Sequence, residues 1–253
     1  MKKAIILAAG IGKRLGGLTK DIPKCLLEVE KDITLLDLSL KALKEGGIKE
    51  IILICGYQKD TLENHINKKW KDSFTFHFVF NEKFDIWNNI YSAYIAKSFF
   101  DDETLLLNSD IIYDPGILKN LLLTVKLTRG KMSYLVIDDK KDLIQEDMKV
   151  LVSPDNEIKQ INKAIDIEEA YGEYIGIAYL RGNEKIRFFE AAEKLIQKGS
   201  TDLYYEDAIA NTLNRCIVLP CSTGGLMWTE VDTKEDLDHA KEIYKKLNTQ
   251  AVA

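Results

Sequence analysis

The apolar run Ala4-Ile5-Ile6-Leu7-Ala8-Ala9 leads straight into a stretch holding Gly10, Gly12, Gly16 and Gly17, and this junction constrains the chain more than any other part of it. A short continuous apolar run reads as a strand buried on both faces, and such strands belong to sheets covered by helices. The glycines leave the backbone free to turn tightly and to approach a ligand. Their spacing fits neither common nucleotide loop. A dinucleotide fold wants G-x-G-x-x-G, but Leu15 stands three beyond Gly12. A Walker loop wants G-x-x-x-x-G-K-[S/T], but Arg14 follows Gly12-Lys13 and Leu7 stands five before Gly12. The loop also carries Lys13, Arg14 and, behind Pro23, Lys24. Three cations on a flexible backbone point to an anionic ligand.

Composition says what kind of anion. The formal net charge of -5 gives no general attraction to nucleic acid, so the clustered cations read as local devices for a small molecule. With 253 residues, 46% of them hydrophobic, the chain can bury a large core without disulfides. No run reaches the length of a membrane span, and the first strand is too short and too soon followed by Gly-Lys-Arg to be a signal peptide. The expectation is a cytoplasmic protein, monomer or homodimer, with no nucleic-acid or membrane partner. Cys25, Cys55, Cys216 and Cys221 have no ligand-like pairing and read as isolated small hydrophobes.

Strand and helix signals alternate along the first half. Helical spacing over 34–45 ends at Gly46-Gly47, and 51–55 reads as a buried strand leading into Gly56-Tyr57. A helix over 60–70, a strand over 74–83, a helix over 89–100 and a strand within 103–114 follow. This order predicts an α/β fold with a mostly parallel sheet and helices on both faces. Ligands then bind at the carboxyl ends of the strands, where Gly10, Gly56, Asn81 and Asp110 fall. From Lys131 the pattern turns to short β pieces broken at Pro154-Asp155-Asn156, then the strand "GEYIGIAYL", two helices within 183–199 and 203–214, a last strand and a terminal helix. The expectation is one domain over 1–253, with a nucleotide half over 1–110, an acceptor half over 111–253 and a small β insertion or flap over 139–165.

Two acids stand out. "LLLNSDIIYD" buries its leucines and then presents Asp110, and "MWTEVDTKED" does the same with Asp232. An acid beside a buried strand is expensive unless it meets a cation or a metal. Asp232 reads either as a helix cap beside Thr233 or, with Asp110, as one of two carboxylates holding a Mg²⁺ beside nucleotide phosphates.

The first 29 residues resemble the N-terminal signature of the nucleotidyltransferase superfamily, G-x-G-x-R-L followed by T-x-x-x-P-K: Gly10, Gly12, Arg14, Leu15, Thr19, Pro23 and Lys24 all sit in place. Farther along, "VFNEKFDIWNNIYSAYIAK", "LLLNSDIIYDPGIL", "YYEDAI" and "WTEVDTKEDLDHAKEIY" are similar to the CTP-using branch that acts on phosphocholine, aminoalkylphosphonates, glutamine phosphoramidate and related head groups, some of them destined for capsules and other cell-surface polysaccharides. The resemblance implies a Rossmann-like three-layer α/β/α fold and an enzyme of Mg²⁺-dependent CMP transfer from CTP, with pyrophosphate leaving. By the same resemblance Arg14, Lys24, Asp110 and Asp232 are catalytic, the two acids holding the metal. Leu7, Ala8, Ala9, Gly10, Gly12, Lys13, Gly56, Tyr57, Asn81, Asn88 and Ser109 line the nucleotide. Lys163, Glu173, Tyr174, Tyr205, Glu206 and Trp228 border the acceptor. Blander readings stand beside these: Lys163 as a solvated lysine, Tyr57 as packing at the core edge, Glu206 as a surface helix pair. Asn108-Ser109 replaces the Gly or Ala that many relatives carry before the acid. A sugar-1-phosphate nucleotidyltransferase using UTP, CTP or dTTP is the second reading, and a non-catalytic nucleotide-binding regulatory subunit the third.

Overall fold

The computed structural model describes residues 2–250. Its central strand is the apolar run itself, β1 (Lys3–Ala8), buried from Ala4 onward. After the glycine loop, which winds through 3-10 turns over Lys13–Thr19 and Lys24–Leu26, come the short antiparallel strands β2 (Glu28–Glu30) and β3 (Ile33–Thr34). α1 (Leu35–Glu45) starts on a capping box: Thr34 Oγ1 accepts the Asp37 N–H and Asp37 Oδ2 accepts the Thr34 N–H. Then β4 (Glu50–Cys55), α2 (Lys59–Lys69), β5 (Thr75–Phe80), α3 (Asn89–Ile95) and β6 (Thr104–Asn108) alternate. Each return passes through a helix, so these strands run parallel in the order β6-β1-β4-β5, with Ile5 opposite both Ile52 and Leu106.

The second half extends the sheet on the β6 side. It comprises β7 (Ile111–Tyr113), α4 (Pro115–Leu127), β8 (Ser133–Asp138), β9 (Lys149–Val152), β10 (Ile158–Asn162), β11 (Gly172–Tyr179), α5 (Gly182–Gln197), α6 (Tyr205–Ala210), β12 (Val218–Ser222), β13 (Trp228–Glu230) and α7 (Lys234–Gln250). β11 pairs antiparallel with β6, β8 and β9, the β9–β10 hairpin forms one edge, and β12 lies parallel to β8. β11 kinks at Gly176, whose φ of +84° and lack of a Cβ let it lie on Asn108; a Cβ there would stand 2.6 Å from Asn108 Nδ2.

Alternate residues of β1 feed two cores. Ala4, Ile6 and Ala8 pack with Leu36, Leu40, Leu118 and Leu121 of α1 and α4, while Ile5 and Leu7 pack with Ile90, Phe188 and Ala208 of α3, α5 and α6. Helices therefore cover both faces. A third cluster joins Leu15 of the glycine loop to Leu35, Ile112, Val231 and Leu237, fastening the loop to β7 and α7.

Several elements differ from the sequence expectation. α4 has no counterpart in the sequence expectation; Asp114 caps it by accepting the Gly116 N–H, with Pro115 in its first turn. β12 is hidden by Pro220, which is tolerated because the strand pairs only with β8. The helix expected over 89–100 ends at Ile95, and Lys97–Phe99 forms a 3-10 turn. Within residues 139–165, expected to form a small β insertion or flap, β9 and β10 are the strands. No helix among the described residues is long and apolar enough to cross a membrane.

Candidate active site

The carboxyl ends of β1 and β6, together with the β7–β13 ribbon, open on a cleft of about 550 Å³. Leu7, Ala8, Ala9, Gly10, Gly12, Lys13, Arg14, Lys24, Asn81, Asn88, Ser109, Asp110, Lys163 and Asp232 all line it. Lys24 stands at its centre. Its Nζ donates to Asp110 Oδ2 at 2.8 Å and to Asp232 Oδ1 at 2.6 Å, while Arg14 donates to Asp232 Oδ2 at 2.6 Å.

Local structure explains why these groups converge. β13 pairs with β7 so that Glu230 lies opposite Ile111, which puts the residues after β13 beside the residue before β7. The Val231 N–H donates to the Asp110 carbonyl at 2.8 Å, drawing the two acid-bearing segments together. Thr233 and Asp236 cap α7 reciprocally. The capping role thus falls to Thr233, and the Asp232 carboxylate is left to Lys24 and Arg14. Ser109 Oγ donates to the Leu7 carbonyl at 2.7 Å, tying the acid-bearing segment to the mouth of the glycine loop.

Electrostatics at the centre favour the ionised forms of Lys24 and Asp232 but not of Glu230. Burial alone would lower the Lys24 ammonium, but the charges of Asp110, Asp232 and Glu230 outweigh it and raise its pKa. Asp232 moves the other way: burial pushes its carboxyl up, and Lys24, Arg14 and Lys163 together hold it below the ordinary carboxylate range. Glu230 is raised by loss of hydration within the cleft and then by Asp110 and Asp232, although its side chain still meets solvent.

Asp110, Glu230 and Asp232 each offer an oxygen within 4.8 Å of the other two. Asp110 Oδ1 is buried without a hydrogen-bond partner. An all-oxygen set with one unspent buried acceptor fits a hard divalent cation. Glu230 escaped the sequence reading; strand alternation, which places it two residues before Asp232, was the signal available.

Other expected residues lie elsewhere. Gly56 and Tyr57 do not line the cleft: a Cβ on Gly56 would stand 2.5 Å from Phe84 Cβ, and Tyr57 donates its N–H to the Ala9 carbonyl and its hydroxyl to the Lys20 carbonyl, so the pair braces the glycine loop from outside. Tyr174 and Tyr205 are buried and hydrogen-bonded to each other through their hydroxyls at 2.8 Å. Glu206 is buried with them, not a surface helix pair, and its Oε2 has no partner. Glu173 is buried against Lys141, and Trp228 donates Nε1 to Asp138 Oδ2. Asp207, next to Glu206 in the chain, accepts the Tyr204 N–H at Oδ2. Packing of α6 against the sheet face that carries Tyr174 buries Tyr174, Tyr205 and Glu206 away from the cleft, while Trp228 packs on the opposite core and Glu173 is held by Lys141. Lys163 does face the cleft, its Nζ 5.4 Å from the Tyr204 ring centroid.

A parallel-cored sheet whose carboxyl rim carries a cationic glycine loop facing clustered acids defines an α/β protein built to handle phosphates. The chain belongs to the nucleotidyl transferase family, whose profile matches residues 3–143. It is 30% identical to the CTP:phosphoglutamine cytidylyltransferase of Campylobacter jejuni over 93% of this chain and 97% of that one. It is 27% identical to the choline-phosphate cytidylyltransferase of Streptococcus pneumoniae over 97% of this chain and all of that one. Among solved structures, the inositol-1-phosphate CTP transferase from T. maritima superposes with a TM-score of 0.81 at 24% identity, covering 98% of this chain and 96% of that one, a likeness of fold.

Proposed function

We propose that the protein is a Mg²⁺-dependent cytidylyltransferase that transfers CMP from CTP to a small amino-bearing phosphate, phosphonate or phosphoramidate, releasing pyrophosphate. The observation that carries this reading is Lys24 bridging Asp110 and Asp232 directly beneath the glycine loop. The two full-length relatives named as cytidylyltransferases support the choice of nucleotide.

The acceptor oxygen is already anionic near neutral pH, so the reaction needs little base assistance. Positioning and charge neutralisation carry it. Lys13 and Arg14 hold the outer phosphates, and Lys24 stands where charge develops at the α-phosphorus as pyrophosphate leaves. Lys163, on the far wall, draws the acceptor anion toward a second anion that repels it. Asp110 and Asp232, with Glu230 beside them, would hold a Mg²⁺, which would supply further neutralisation of phosphate oxygens. Asn81 is already held by Ser92 and by the Lys83 N–H, so recognition of cytosine falls mainly on the backbone of residues 8–10.

Pyrophosphate release on mixing the protein with CTP, UTP or ATP and a panel of acceptors tests the reading. CTP with an amino-bearing acceptor is expected to give the highest kcat/KM. Equal kcat/KM for the three nucleotides, or preference for a neutral sugar 1-phosphate, assigns the protein to the sugar-nucleotide branch. Release with no combination leaves a nucleotide-binding regulatory role.

A further inference from the structure

α5 and the turn that follows α6 enclose a second groove, of about 560 Å³, that shares no lining residue with the cleft at the carboxyl rim. Arg187, Lys194, Lys198 and Arg215 line it, against the single acid Glu190. In a chain whose formal net charge is -5, this local excess of cations runs against the overall composition. Three of the four come from α5 and its C-cap. Arg187, Lys194 and Lys198 are spaced by seven and then four residues, which on an α-helix sets them in one stripe about 16 Å long.

Structural duties do not account for the four. Glu190 precedes Lys194 by four residues, the arrangement that favours a helical ion pair, yet among the described residues neither it nor any of the four cations forms an ion pair. Glu193, a neighbouring acid of α5, turns away to Tyr94 and Lys97. A cation at a helix C-terminus eases the macrodipole, which covers Lys194 and Lys198 only. Arg187 lies in the second turn of α5, where the dipole gives a cation no benefit, and Arg215 lies outside the helix. Four like charges converging on one groove repel one another, and an anion between them reverses the sign of that interaction.

The lining selects the anion. Among the described residues no aromatic side chain lines the groove, so a nucleobase has nothing to stack on, which argues against nucleotides and single-stranded nucleic acid. Ala191 and Leu195 supply the apolar surface, too little for an acyl chain. Gln197 and Asn214 add amide groups that bond to anionic or hydroxyl oxygens. The volume is that of a small-molecule site, and four cations against one acid are balanced by three negative charges. We propose that this groove binds a small, non-aromatic polyanion bearing three or more phosphate or carboxylate groups, with Arg187 and Arg215 as forked partners of its oxygens and Lys194 and Lys198 as point charges. The site is independent of the cytidylyltransferase reading.

The test titrates inorganic tripolyphosphate, citrate and inorganic phosphate into the isotopically labelled protein at physiological ionic strength and follows the backbone amides by NMR. The readout is confined to residues 187–198 and 211–215, so anion binding at the glycine loop does not enter it. Saturable shifts are expected there with tripolyphosphate, citrate or both, the pattern separating a phosphate ligand from a carboxylate one, while inorganic phosphate binds about tenfold more weakly or worse. Replacing both arginines, Arg187→Gln with Arg215→Gln, should weaken the polyanion by about tenfold or more. Glu190→Gln should tighten it by about twofold, since it removes the one like charge. Lys119→Gln, at an exposed lysine of α4 outside the groove, should leave it unchanged and controls for the loss of a positive charge in general. An unchanged melting temperature in each variant separates lost binding from lost folding. No saturable shift at these amides with any probe, inorganic phosphate bound as tightly as the polyanions, an unaltered affinity in the double variant, or an equal weakening by Lys119→Gln overturns the proposal.

Discussion

Lys24 is charged in a place where burial argues against charge, and its two carboxylate partners are the reason. In the proposed transfer, a cation so fixed would need no reorganisation as negative charge gathers at the α-phosphate, where such groups act most strongly. Lys24→Ala should therefore lower kcat by about 10²-fold or more, measured as single-turnover rate at saturating CTP and Mg²⁺; an unchanged rate would return Lys24 to a structural role. At this scale the sequence was most informative about groups on the glycine loop and at strand ends, because backbone position alone delivers them to the rim. It was least informative about Glu173, Tyr174, Tyr205 and Glu206. Whether a polar side chain on a helix or strand meets the cleft or the layer behind it depends on the rotation and depth of that element, which neighbouring layers set.

The acid pair depends on two elements more than on its own residues. β13 brings Asp232 to Asp110, and because Thr233 makes the α7 cap, the Asp232 carboxylate is left to Lys24 and Arg14. Thr233→Ala removes that cap, at a cost of about 1 kcal/mol. The melting temperature should fall by roughly 2–4 °C, and the Mg²⁺ concentration for half-maximal activity should rise as Asp232 loosens, with Thr233→Ser restoring both. A drop in melting temperature without a change in Mg²⁺ dependence would show that the cap and the acid act independently. Elements with strong periodicity, such as α1 and β4, were legible from local pattern. α4 and β12 were not, since Pro115 and Pro220 are breakers by local rule and acceptable only in a helix's first turn and a lightly paired strand, facts of placement.

Across the whole molecule, buried acids of opposite tendency shape stability against pH. Burial would raise the Asp37 carboxyl, but His65, Lys69, Trp70 and the Thr34 N–H hold it well below the ordinary range. Its stabilisation is present above the unfolded value near about 3.9 and is lost as pH falls through the lower folded value. Glu206 is pushed up to about 8, chiefly by burial. It favours the folded state while protonated, so its contribution is complete below the unfolded value of about 4.3 and is lost as pH rises through 8. Urea midpoints from pH 4 to 9 should thus decline above about pH 5, where Glu206 would ionise in the unfolded chain. Glu206→Gln should flatten that decline; an identical slope would mean Glu206 is not buried as a neutral acid. The sequence by itself determined the parallel core, the glycine loop and the identity of its cations, because buried-strand runs and turn residues act through local backbone preference. Only the tertiary structure decided that Glu230 joins the acids, that Tyr57 hydrogen-bonds to the Ala9 and Lys20 carbonyls, and that Lys141 lies beside Glu173 and Trp228. Those contacts link segments 32 (Lys141 and Glu173) to 120 (Asp110 and Glu230) residues apart, and the packing of layers, not any local propensity, brings them together.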